Sequence, residues 1–89
     1  MHAVSKTRVE GAGELSIQLD RGRIKYSKMG HHLIIEIEHG IGEISIFCGS
    51  IKRWLPPHSD EVIDDLQKQR IIANTSKAMR LLGVDFVLE

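Results

Sequence analysis

With one cysteine, Cys48, the chain cannot form an intrachain disulfide. That absence favours a reducing compartment. Long apolar runs are also missing: even Leu33-Ile34-Ile35 is far too short to span a bilayer. The basic residues between Met1 and Gly13 are not followed by an apolar stretch, so no secretory signal is expected and the cytoplasm is the expected location. Nor is there an excess of either charge. Twelve Lys and Arg balance twelve Asp and Glu, so the total lacks the basic footprint of a nucleic-acid binder. Aromatics are scarce: two Phe, one Tyr and one Trp leave little for base stacking. Gly11, Gly13, Gly40 and Gly42 are too sparse for a phosphate-binding loop, and no helix follows them.

What is present suffices for one domain. Eighty-nine residues, 42% of them apolar, can bury a modest single core. Residues 1–12 show no clear period and are expected to form a flexible N-terminal arm, with residues 13–89 as a single α+β domain. From residue 13 to 49 apolar side chains alternate with polar ones: Leu15, Ile17, Leu19; then Ile24, Tyr26; then Leu33, Ile35, Ile37; then Ile44, Ile46. Period two marks strands with one buried face. Arg21-Gly22, Met29-Gly30 and Gly40-Ile41-Gly42 supply the turns.

Parity fixes a register. A turn at Arg21-Gly22 sets Leu19 opposite Ile24 and Ile17 opposite Tyr26. A turn at Met29-Gly30 sets Ile24 opposite Ile35, Tyr26 opposite Leu33 and Arg23 opposite Glu36. A turn at Gly40-Ile41 sets Ile37 opposite Ile44, Glu38 opposite Glu43 and Ile34 opposite Phe47. All three hairpins place apolar residues on one face, and a one-residue slip would scatter them.

Residues 50–63 form a loop that Pro56 and Pro57 keep out of any regular ladder. Asp64, with Gln67 three residues later, is the start of a capping box and of a long helix. Ile71, Ile72, Thr75, Ala78, Met79 and Leu82 make its apolar stripe, and Gly83 ends it. Val84, Phe86 and Leu88 alternate in a short last strand. The expected fold is thus a four-stranded antiparallel meander, one long helix packed on one sheet face and a short C-terminal strand, in the order β-β-β-β-α-β. The last strand could run parallel to the fourth or antiparallel to the first.

Catalytic chemistry is hard to find. His58-Ser59-Asp60 holds the residue types of a hydrolytic triad, but adjacent residues cannot converge as a triad must. Cys48 falls at an inward position, as a structural thiol does. Five histidines are scattered, and His31 and His32 point to opposite faces of a strand. No Cys or His pair has zinc-site spacing, so neither a metal nor another cofactor is expected.

The outward face carries Glu36, Glu38 and Glu43. They form either a solvated face, with Arg23 offsetting Glu36, or an acidic patch for a basic partner. Ile34 and Phe47 share that face, which calls for a cover: the Trp54 loop or a binding partner. Trp54 has two competing roles of its own, a structural anchor packed over an edge of the sheet or against the helix, or a binding anchor that projects toward the partner. Two further classes compete with a binding protein. A nucleic-acid-binding module could use Arg21, Arg23, Lys25, Lys28, Lys52 or Arg53. A small hydrolase or metal-dependent enzyme could use the carboxylates, although no cleft is evident beside them.

The stretch from residue 50 to 83 is the most distinctive. It runs Ser50-Ile51-Lys52-Arg53-Trp54, Pro56-Pro57-His58, Arg70-Ile71-Ile72-Ala73-Asn74, Ala78 and Leu82-Gly83. It resembles a family of small bacterial immunity proteins from polymorphic toxin systems, including contact-dependent growth inhibition. The resemblance implies a protein without catalysis that binds and neutralises a cognate toxin domain, commonly a nuclease, by occlusion. It implies no direct nucleic-acid or membrane partner. Glu36, Glu38 and Glu43 would then be the acidic patch, with Ile34 and Phe47 as its apolar centre.

Overall fold

Alternating side chains give strands here, as the period-two pattern requires, but more of them than the pattern reveals. The computed structural model describes residues 1–89. Its strands are β1 (His2–Ala3), β2 (Arg8–Gly11), β3 (Leu15–Asp20), β4 (Arg23–Lys28), β5 (His31–His39), β6 (Ile44–Ile46) and β7 (Phe86–Leu88). They lie side by side in chain order as one sheet. Neighbours are antiparallel except β6 and β7, which are parallel, so the sheet is mixed. It curls into a half-barrel with one long helix, α1 (Asp65–Leu81).

This corrects the expected four-stranded meander with an appended strand. The four expected strands correspond to β3 to β6, but these are only the middle of a seven-stranded mixed sheet. The missing strands β1 and β2 come from residues 1–12. Strand β2 is Arg8-Val9-Glu10-Gly11, with one apolar side chain, so it has no alternation to read. Val9 nonetheless is fully buried opposite Ile17.

The registers of β3 with β4 and of β4 with β5 are those parity demands: Leu19 with Ile24, Ile17 with Tyr26, Ile24 with Ile35, Tyr26 with Leu33. The β5–β6 register is displaced by two residues. Ile37 faces Ile46, Glu38 faces Ser45 and His39 faces Ile44. The reason is the turn, a four-residue Gly40–Glu43 loop in which the Gly40 N–H donates to the Glu43 carbonyl at 2.8 Å. A shift of two preserves side-chain parity, so Ile44 and Ile46 stay buried. It does end the direct cross-strand pairings Glu38–Glu43 and Ile34–Phe47, with Glu38 now opposite Ser45 and Phe47 bonded to Glu36.

Strand β6 pairs with only the last third of β5. The chain beyond it covers the rest of that edge. The Phe47 N–H donates to the Glu36 carbonyl at 3.0 Å, and the Leu55 N–H donates to the His32 carbonyl at 2.7 Å. Ser50 Oγ accepts from the Glu36 N–H at 2.9 Å. Phe47, Ser50 and Leu55 thus occupy edge groups that would otherwise be open to another chain. Ile51 and Trp54, at 3% and 8% exposure, turn from this segment into the core.

The helix begins as its sequence requires. Asp64 Oδ1 accepts from the Gln67 N–H at 2.7 Å and Gln67 Oε1 accepts from the Asp64 N–H at 3.3 Å. Ile71, Ala78 and Met79 bury against the inner face of the sheet in one cluster with Ile17, Ile24, Leu33, Ile35 and Ile46. Asn74 Nδ2 donates to Tyr26 Oη at 3.0 Å and ties α1 to β4. Gly83, at φ +71°, closes the helix in the left-handed conformation that a side chain would strain. The chain then returns as β7. No helix is long and apolar enough to cross a membrane.

Candidate partner-binding face and a histidine cluster

Strand alternation turns Ile34, Glu36 and Glu38 of β5 away from the core. Both glutamates are exposed and Ile34 is half-buried. Phe47, just beyond β6, is half-buried on the same side and lines a shallow groove with Ile34, Glu36, Ser50 and Lys52. Glu38 lies farther along the face. Glu43 departs from this group. It sits in the β5–β6 loop and lines a different depression with Ile41, Arg80 and Phe86. The structure therefore brings Ile34, Phe47 and Glu36 together and leaves Glu43 apart.

None of the three glutamates forms an ion pair; the pairs present are Arg8–Glu10, Lys25–Asp20, His31–Glu61 and His58–Glu61. Arg23 stands opposite Glu36 in the ladder without reaching it. The carboxylates are free to meet an external cation.

Trp54 lies under the loop. Its ring centroid is 6.5 Å from that of Tyr26, and the His31 ring meets it edge-on at 5.2 Å. Burial pushes the Tyr26 hydroxyl above its usual range, and the hydrogen bond from Asn74 partly offsets this.

A second arrangement arises where the start of β5 meets the 56–62 loop. The His31 and His58 rings stack at 3.7 Å with 16° between their planes. His31 Nε2 is 3.1 Å from both oxygens of Glu61, and His58 Nδ1 is 2.6 Å from Glu61 Oε2. His31 Nδ1 faces the Met29 carbonyl at 3.3 Å. The bond to Glu61, then the bond to Met29, raise the His31 pKa above its ordinary value. The bonds from His31 and then His58 lower that of Glu61. Sequence spacing hides this cluster, because His31 and His58 belong to distant segments. The one local sign is the three-residue step from His58 to Glu61.

The arrangement does not assemble a nucleophile with a base. Ser59 and Asp60, the other residue types of the supposed triad, are exposed, while His58 turns to Glu61. Cys48 is half-buried, with its Sγ 3.9 Å from the Ile46 carbonyl oxygen. The site features are thus a mixed apolar and acidic face, a buried tryptophan and a histidine–carboxylate cluster. No curated protein and no solved structure matches the chain. Residues 16–89, from β3 to the last strand, match the model of the family described as Immunity protein 74, and the chain belongs to that family of bacterial immunity proteins, which neutralise toxins without catalysis.

Proposed function

We propose that this immunity protein captures a nuclease toxin domain in the cytoplasm and occludes its active site with the outward face of β5. The observation that carries this reading is the juxtaposition of Ile34 and Phe47 with the unpaired carboxylate of Glu36, continued by Glu38. A nuclease site is basic because it holds phosphates. A carboxylate row on the inhibitor competes for the same cations and speeds encounter, while the apolar pair supplies a centre that excludes water. Glu43, on the neighbouring loop, adds to the field at longer range.

The Glu36→Lys, Glu38→Lys, Glu43→Lys triple variant tests this. All three side chains are exposed, so the fold should persist with an unchanged urea midpoint. Association with the toxin should slow by about tenfold or more at low salt, and the difference should shrink as salt rises. Stopped-flow association rates that do not change would remove this face from the interface. The nucleic-acid reading loses ground by contrast: Lys25, one of its candidate phosphate contacts, is already paired with Asp20 at 3.3 Å.

A further inference from the structure

We propose that His31, His58 and Glu61 form a binding site for one divalent transition-metal ion of the zinc class. Each residue offers one ligand atom, and the three atoms lie within 4.8 Å of one another. Two imidazoles and a carboxylate are a donor set that zinc accepts, with a fourth position left to water. Ligand atoms sharing one zinc ion stand roughly 3.4 Å apart, given bond lengths near 2.1 Å and tetrahedral angles. The His31–Glu61 separation of 3.1 Å and the His58–Glu61 separation of 2.6 Å are close to that already. The rings need only fan apart from their stack for both nitrogens to share a point in front of the carboxylate.

The strongest reason is a hydrogen-bond count at His31. Both ring nitrogens of His31 face acceptors, Nδ1 the Met29 carbonyl and Nε2 the Glu61 carboxylate, and a neutral ring has one proton for the two. With that proton on Nδ1, the lone pair of Nε2 points at the Glu61 carboxylate, which is also an acceptor. Two acceptors at 3.1 Å repel unless a cation stands between them. In the doubly protonated ring that cation is the second ring proton. Once the ring is neutral, a metal ion fills the same role. The same Met29 contact is the outer-shell bond that fixes tautomer and ring direction in metal-ligating histidines. The edge of His31 against Trp54 braces the ring further. A bound ion would fasten the 56–62 loop to the start of β5, and none of its three ligands lines the groove of Ile34 and Phe47. Its binding is independent of the toxin-facing reading.

Zinc ion alone, titrated into the full chain at mildly alkaline pH so that fewer protons compete for the ring nitrogens, is the direct probe. Calorimetry should give one saturable site per chain, and the thermal midpoint should rise with added zinc and fall back on chelation. Cobalt(II) should quench the fluorescence of Trp54, the only tryptophan, and zinc should reverse the quenching. His31→Ala, His58→Ala and Glu61→Gln should each weaken zinc binding about tenfold or more, because even outer-shell partners are worth that much. His32→Ala and His39→Ala should bind as the parent does. If a histidine variant does not fold, Glu61→Gln, which alters an exposed carboxylate, still decides. No saturable zinc binding overturns the proposal. So does binding that survives all three cluster variants, or that disappears with His32 or His39.

Discussion

Trp54 is held between the Tyr26 ring and the edge of His31, and only 8% of its surface is exposed. Removing so large a buried ring leaves a cavity under the loop. Trp54→Ala should therefore cost about 3 kcal/mol or more. Toxin binding should fall only as far as the folded fraction falls. Urea melts beside binding titrations check this, and an unchanged midpoint with weak binding would move Trp54 into the interface. The histidine cluster makes a pH prediction. His31 is raised, so its contribution is complete below the ordinary value of 6.5 and is lost as pH climbs through the folded-state pKa. Glu61 is lowered, so its contribution is complete above the ordinary value of 4.5 and is lost as pH drops through its folded-state pKa. The stability gap between the parent and Glu61→Gln should be widest between those two values and narrow on both sides, in chelator-treated protein followed by urea midpoints. A gap that is flat with pH would show that the clamp is not ionic. Little of this cluster was legible in the sequence. Strand parity can aim Glu36 or Ile34 outward, but a contact between β5 and a loop with no period has no sequence signature.

At the scale of elements, local patterns succeeded where they were dense. Strands β3, β4 and β5 each carry at least two inward apolar residues, and any odd slip would expose them, so their register follows from parity. Parity says nothing about an even slip. The Gly40–Glu43 loop could close over two residues or four, and both bury Ile44 and Ile46. That freedom is why the β5–β6 pairing was displaced by two. The helix was legible at both ends, because caps are local: Asp64 with Gln67, and Gly83. Its interior holds one local inconsistency. Thr75 is 1% exposed and its hydroxyl has no hydrogen-bond partner. A buried hydroxyl without a partner keeps its desolvation cost. Thr75→Val replaces the hydroxyl by a methyl of similar shape and should raise stability by about 1 kcal/mol. Thr75→Ser, which keeps the hydroxyl and loses the methyl, should lower it. A less stable Val variant in matched urea melts would show that the hydroxyl finds a partner in solution.

For the whole molecule, the sheet is a single ribbon of strands in chain order, so each interior strand depends on its two neighbours. The family model begins at residue 16, inside β3, yet the core does not begin there. Val9 of β2 is fully buried opposite Ile17, and the Leu19 N–H donates to the Thr7 carbonyl at 2.8 Å. Gln18 Nε2 adds a 2.8 Å bond to Thr7 Oγ1. The first dozen residues are thus the wall on one side of β3. Deleting residues 1–12 would uncover that wall in two ways. It removes the Val9 side chain from the core, a loss of roughly 1.5–3 kcal/mol if the site stays open to water. It also bares the backbone edge of β3, whose unpaired groups can template pairing with a second chain. The shortened protein should therefore melt at lower urea and self-associate with rising concentration in light-scattering chromatography. Val9→Asp in the full chain separates the two effects. It buries an unpaired carboxylate and should lower stability by itself, but it leaves the edge covered, so the protein should remain as monodisperse as the parent. If the deletion variant keeps the parent's midpoint and mass, β1 and β2 are dispensable to the sheet in solution and residues 1–12 act as a detachable arm.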